Sequence, residues 1–186
     1  MKVEWYIQWE VKDKNGQLKS YKKHKANSTV RSMIDLMYSL MSEAAYTNGG
    51  KDTSNATQSP THNAATNFYC NALAGNALYG LVVGSGTNAV TINDYALQTL
   101  IAHGVGAGQL SYGAMNFVAP AVAGSTKSFT LVRIFTNSSG SDITVNEIGI
   151  YVKSNTIYYC IERSLSTQVI PNTLTGTLTY TCSVTV

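Results

Sequence analysis

The chain has 186 residues, 44% of them apolar and only 12% charged, with a formal net charge of +3. That charged fraction lies well below the roughly 25% of an ordinary soluble domain, and the small net charge argues against disorder throughout the chain. A membrane-spanning helix is excluded too: the longest near-apolar stretch, residues 114–123, is broken by Asn116 and Pro120, and a span needs about 20 residues.

Met1-Lys2 leads straight into Val3-Glu4-Trp5, so no secretory leader is expected. Val3, Trp5, Ile7, Trp9 and Val11 alternate with Glu4, Tyr6, Gln8 and Glu10, which predicts a strand with one apolar face. Asp13-Lys14-Asn15-Gly16 supplies turn chemistry, and the return strand runs from Leu18 to about Lys25. The basic excess sits here: Lys12, Lys14, Lys19, Lys22, Lys23, Lys25 and Arg31 face only Asp13. Lys19, Lys22, Lys23 and Lys25 are therefore a candidate basic patch for nucleic acid or an acidic partner. The plainer reading is a solvated edge strand kept soluble by lysine.

Asn27 or Ser28 is expected to cap a helix running to about Tyr46, with Val30, Met33, Ile34, Met37, Leu40, Met41 and Ala44 as its apolar stripe. That stripe is expected to pack on a sheet, with an adaptable methionine-rich binding face as the other reading. Residues 47–67 turn polar and small, and predict a linker, an exposed loop or an arm ordered by a partner. This divides the chain into a hairpin-plus-helix element (1–46), the polar stretch (47–67) and a β body (68–186), with the first and last expected in one compact unit.

In the body, strands are predicted at Leu78–Val83, Gln109–Val118, Lys127–Thr136, Ile143–Val152, Thr156–Arg163 and Thr177–Val186, with turn residues between them. The fold class is mainly β: an antiparallel β-sandwich or jelly-roll-like body with an N-terminal β-hairpin and one α-helix. Residues 1–63 hold 15 of the 23 charged side chains, leaving only eight in the whole body.

Candidate chemistry is sparse. His24, His62 and His103 have no ligand spacing, and Cys70, Cys160 and Cys182 form no zinc motif, so buried free thiols are expected although one disulfide stays open. The glycine-rich runs at Gly84–Asn88 and Gly104–Gly108 lack the helix that phosphate-binding loops require, and read as loops needing positive φ or close backbone approach. No cofactor, metal or catalytic constellation is expected. Asn27, Asn55 and Asn137 match the glycosylation pattern, as Asn/Thr/Ser richness alone produces. The 12 tyrosines fit either an assembly interface or a sugar-binding surface.

Gly84-Ser-Gly-Thr-Asn-Ala-Val-Thr-Ile-Asn-Asp-Tyr-Ala-Leu97, Arg133-Ile-Phe-Thr-Asn-Ser-Ser-Gly140 and Ile143-Thr-Val-Asn-Glu-Ile-Gly-Ile-Tyr151 together resemble structural proteins of tailed bacteriophages and related viruses. The resemblance covers roughly residues 80–163. It implies a β-rich, non-enzymatic virion protein of capsid, decoration, tail or fibre type, made in the host cytoplasm and present in many copies. Its partners would be further copies and other virion proteins, with no membrane. A receptor- or glycan-binding tip is the alternative. Glu147, Arg133, Asp94, Tyr95 and Tyr151 are the structural or interface candidates. Glu147 sits in an apolar strand, so it is expected to need a loop amide, Arg133 or a subunit partner, and to lock the loop carrying Asp94 and Tyr95 or a neighbouring subunit.

Overall fold

The computed structural model describes residues 2–26, 28–42, 45–60 and 68–185. Strands β1 (Lys2–Lys12) and β2 (Leu18–Lys25) form the N-terminal hairpin. The short β3 (Ser28–Thr29) precedes helix α1 (Ser32–Ser42), and β4 (Gly50–Lys51) pairs with β5 (Thr57–Gln58). The body follows as β6 (Gly80–Gly84), β7 (Ser111–Ala123), β8 (Thr126–Thr136), β9 (Ile143–Ser154), β10 (Ile157–Ile170) and β11 (Thr175–Thr185).

The architecture is mainly β, with antiparallel sheets in a sandwich. One sheet has the order β2-β1-β11-β8-β7 and the other β3-β10-β9-β6. Their apolar inner faces make one core, where Ile7, Trp9, Phe135 and Leu178 of the first sheet join Leu81, Val83, Ile148 and Ile150 of the second. Alternation alone puts these residues on one side of their strands. The N-terminal hairpin belongs to the sandwich, since β1 pairs with β11 in continuous register from Lys2↔Thr185 to Lys12↔Thr175.

Three expectations need correction. The helix starts at Ser32 rather than at a cap on Ser28, which is a strand residue; Asn27 and Ala44, and the side chains of Leu40 and Met41, lie outside the described residues. Its buried face is Ser32, Leu36 and Ser39, whereas Ile34 and Met37 of the expected stripe are 65% and 38% exposed. Small serines let the helix lie close to β10, and Ser39 Oγ donates to the Pro60 carbonyl at 3.1 Å.

The described part of the polar stretch, residues 47–60, fits the loop reading and carries the short strands β4 and β5. Asp52 organises it as a tight hairpin, accepting from the amides of Ser54 and Ala56, the Ser54 hydroxyl and the Gln58 side-chain amide. The Thr53 amide then ties that turn to the Tyr158 carbonyl at 3.1 Å.

Finally, β10 runs on to Ile170 and β7 runs through Pro120. Both strands carry bulges, at Cys160/Glu162 and Leu165/Gln168 in β10 and at Tyr112/Met115 and Val118/Ala121 in β7. Each bulge breaks the period of two that marks a strand in sequence.

Candidate functional site

The loop between β6 and β9's outer face is held by a buried ionic cluster. Glu147 is fully buried on β9. One carboxylate oxygen accepts from the amides of Thr99 (2.8 Å) and Gly86 (3.1 Å). The other accepts from the Gln98 amide (3.0 Å) and from Arg163 Nε (2.8 Å). Arg163, 2% exposed on β10, reaches Asp94 with Nη1 at 2.7 Å and the Asn88 carbonyl with Nη2 at 3.0 Å. Tyr151 adds its hydroxyl as acceptor for the Leu97 amide at 2.5 Å. Residues 86–99 are thus gripped at both ends and in the middle.

Burial works against ionisation of Asp94, but the Thr91 amide and Arg163 outweigh it and hold this carboxyl below its ordinary value. Burial likewise opposes the charge on Arg163, yet Asp94 and Glu147 raise its pKa further. Tyr95 is half-buried in the same loop, and with Asn88, Thr91, Asp94, Gln98 and Arg163 it lines an open cavity of about 360 Å³. All three guanidinium nitrogens of Arg163 are already engaged, Nε by Glu147 and the other two by the loop, so the cavity does not present a free cation to a ligand.

Glu147 therefore anchors the Asp94–Tyr95 loop from within its own chain. Its cationic partner is Arg163, not Arg133. The pairing depends on the bulge at Ile161. A β9–β10 hairpin extended in the register of Ser154↔Ile157 would set Glu162 opposite Gly149 and turn Arg163 inward. The bulge instead sets Glu162 opposite Ile150 and Arg163 opposite Gly149, on the face Glu147 occupies. Sequence alternation carries no mark of that extra residue.

Arg133 does different work. It is fully buried on β8, and its guanidinium donates to five backbone carbonyls: Gly113, Tyr79, Leu81, Leu73 and Asn76. The Tyr112 ring lies 4.8 Å from its central carbon. Burial lowers its pKa to about 10, against the pull of Tyr112 and Tyr79. The carbonyl dipoles replace a carboxylate, and the fork binds residues 73–81 to the larger sheet.

The inward-turned Glu162 is a fourth buried ionisable group. Its carboxyl is bonded by the Ser164 hydroxyl, while the Tyr180 hydroxyl borders it without well-formed geometry. Burial raises its pKa to about 8.

The basic strand is divided between two faces. Lys22 points to the core side and donates to the Thr167 carbonyl at 2.5 Å. Lys19 pairs with Asp13 at 3.0 Å and Lys25 with Glu4 at 2.6 Å, while Lys23 is exposed opposite Gln8. The three cysteines are free thiols. Asn137 is fully buried and donates to the carbonyls of Ser141 and Ile170, so its side chain is not open to a glycan. Tyr69, Tyr79 and Tyr158 form a ladder with ring centroids 5.8 Å apart at each step. No group of three or more His, Cys, Asp or Glu that could hold a metal occurs among the described residues, and His62 lies outside them. Among the described residues no helix is long and apolar enough to cross a membrane.

Comparison of the chain with protein-family models, curated proteins and solved structures finds no match.

Proposed function

We propose that this chain is a non-enzymatic structural protein of a virion, which self-assembles or binds neighbouring subunits as a capsid, decoration or tail component. The observation that carries this reading is where the body's ionisable groups are used. Glu147, Arg163, Asp94 and Arg133 all hold the protein's own loops in place. Such use suits a rigid building block whose body, with only eight charged side chains in residues 68–186, tolerates close neighbours without desolvating many ions. The sequence resemblance over residues 80–163 points the same way and implies the virion as the place of action.

The test is self-association of the full chain, followed by sedimentation and electron microscopy. The reading expects ordered oligomers that grow with concentration, and localisation of the chain in a particle map. A chain that stays monomeric and binds a glycan array would overturn it.

The glycan-binding alternative has one observation in its favour, the surface tyrosine ladder with Tyr69 41% exposed. Tyr79 and Tyr158 stack at an interplanar angle of 10°, however, and so cover each other's faces. A sugar needs an open face, and Tyr69→Ala should abolish glycan binding if this ladder is the platform. Nucleic-acid contact through β2 would have to displace the Lys19–Asp13 and Lys25–Glu4 pairs. Strong salt dependence would be its signature.

A further inference from the structure

The larger sheet extends beyond the layer that covers it. Along the inner face of β1, exposure falls from 56% at Val3 to zero at Ile7 and Trp9, with Trp5 half-buried between them. Val3 stands in register with Val184, Lys127 and Val122 across β11, β8 and β7. Val122 is 69% and Phe117 40% exposed on the same overhang. A cleft of about 390 Å³ opens where the overhang meets the sandwich, lined by Val3, Trp5, Phe68, Phe117, Phe129 and Cys182 among others.

An inner sheet face needs a facing layer about 10 Å away. Among the described residues none supplies it here. The two edges of this sheet also differ. The β2 edge carries Lys19, Lys22, Lys23 and Lys25, the usual guard against edge pairing, whereas β7 has no charged residue in its 13 positions. Lys127 is the one ionisable side chain in the row from Val3 to Val122. An acidic or nucleic-acid partner would find almost nothing to pair with.

We infer that the overhang packs on the same overhang of a second copy about a twofold axis, each copy supplying the layer the other lacks. This rests on the assembly reading above and names the surface and partner for it. An isologous contact sets apolar surface on identical apolar surface, so self-complementarity needs no second surface. The footprint is modest: four strands spaced ~4.8 Å, over about five residues of ~3.3 Å each, give on the order of 300 Å². Stable pairs bury about 800 Å² per partner. The pair is therefore weak alone and gains strength where many copies are held together.

The test is sedimentation equilibrium of the full chain from about 10 μM to about 1 mM, the range in which a contact of this size is populated. It is run beside Val122→Asp and Val3→Ser, with far-UV circular dichroism and thermal melting as controls for folding. Both positions are exposed, and Lys127 faces residue 122 to balance the new carboxylate, so both variants are expected to fold. Maleimide labelling of Cys182 is followed over the same concentrations. The expected result is a concentration-dependent dimer, dissociation at least tenfold easier in Val122→Asp, and Cys182 labelling that slows as the wild-type chain is concentrated. Wild-type association that both variants retain would overturn the inference and leave the assembly reading intact. Slow labelling independent of concentration would mean the chain covers its own cleft, which also overturns it. No association at any concentration would overturn both.

Discussion

Glu147 accepts four hydrogen bonds, three from loop amides and one from Arg163, with no exposure to water. Removing one partner of a buried ion pair costs about 3–5 kcal/mol, because the other is left uncompensated. Arg163 keeps Asp94, so Glu147→Gln is expected to fall at the low end, about 3 kcal/mol, in urea denaturation. Amide exchange should speed up at Gly86, Gln98 and Thr99 while the core strands keep their protection. Glu162 gives the opposite result. Its carboxyl is raised from 4.5 to about 8 by burial, so the folded chain binds the extra proton between those values. Its stabilising effect is complete below the lower value and is lost as pH rises through the upper one. Wild-type stability should therefore decline from about pH 4.5 to about pH 8, and Glu162→Gln should flatten that decline. The need for a partner at Glu147 was readable from its apolar neighbours in the sequence. The identity of that partner was not, because one extra residue at Ile161 decides which of Glu162 and Arg163 faces outward.

At the scale of elements, alternation located every long strand, and the body's turns were legible from Gly, Asn, Ser and Pro. Strand ends were missed where bulges broke the period, as at Val118/Ala121, where Pro120 mimics a turn. The helix misled for another reason: of its stripe at three- and four-residue steps Met33 packs against the core, but the fully buried positions are Ser32, Leu36 and Ser39, while Ile34 and Met37 stay exposed. The loop after β6 depends on close backbone approach. A Cβ on Gly84 would sit 2.6 Å from the Thr99 carbonyl oxygen, and one on Gly86 would sit 2.4 Å from the Glu147 carboxylate. Gly84→Ala is expected to cost about 1–3 kcal/mol, the usual range for overpacking, with the loss read by chemical denaturation. Arg133→Lys should cost at least about 2 kcal/mol, since an ammonium has three donors where five carbonyls wait. A melting curve indistinguishable from wild type would refute the clamp.

For the whole molecule, the uneven charge distribution separates what salt can reach from what it cannot. The lysine pairs of the N-terminal hairpin are solvent-facing, with side-chain exposures of 46% at Lys19 and 49% at Lys25, and contribute little. The Glu147–Arg163 pair is sealed, with exposures of 0% and 2%. Raising sodium chloride from about 0.05 M to about 0.5 M should then move the melting temperature by no more than about 2 °C, because screening acts on exposed charges. A large fall would mean that surface pairs carry the fold.

The pairing of β1 with β11 also bears on when the larger sheet can close as the chain is made. β1 must wait until β11 has been synthesised, since Lys2 meets Thr185 and Trp9 meets Leu178 at long sequence separation. Until then Ile7, Trp9 and Val11 have only the β2 hairpin beside them. Contacts of such long sequence separation fold slowly, on the order of milliseconds to seconds. Through that interval the lysines of β2 set like charges along the free edge beside the unpaired apolar face, which disfavours pairing with a strand of another chain.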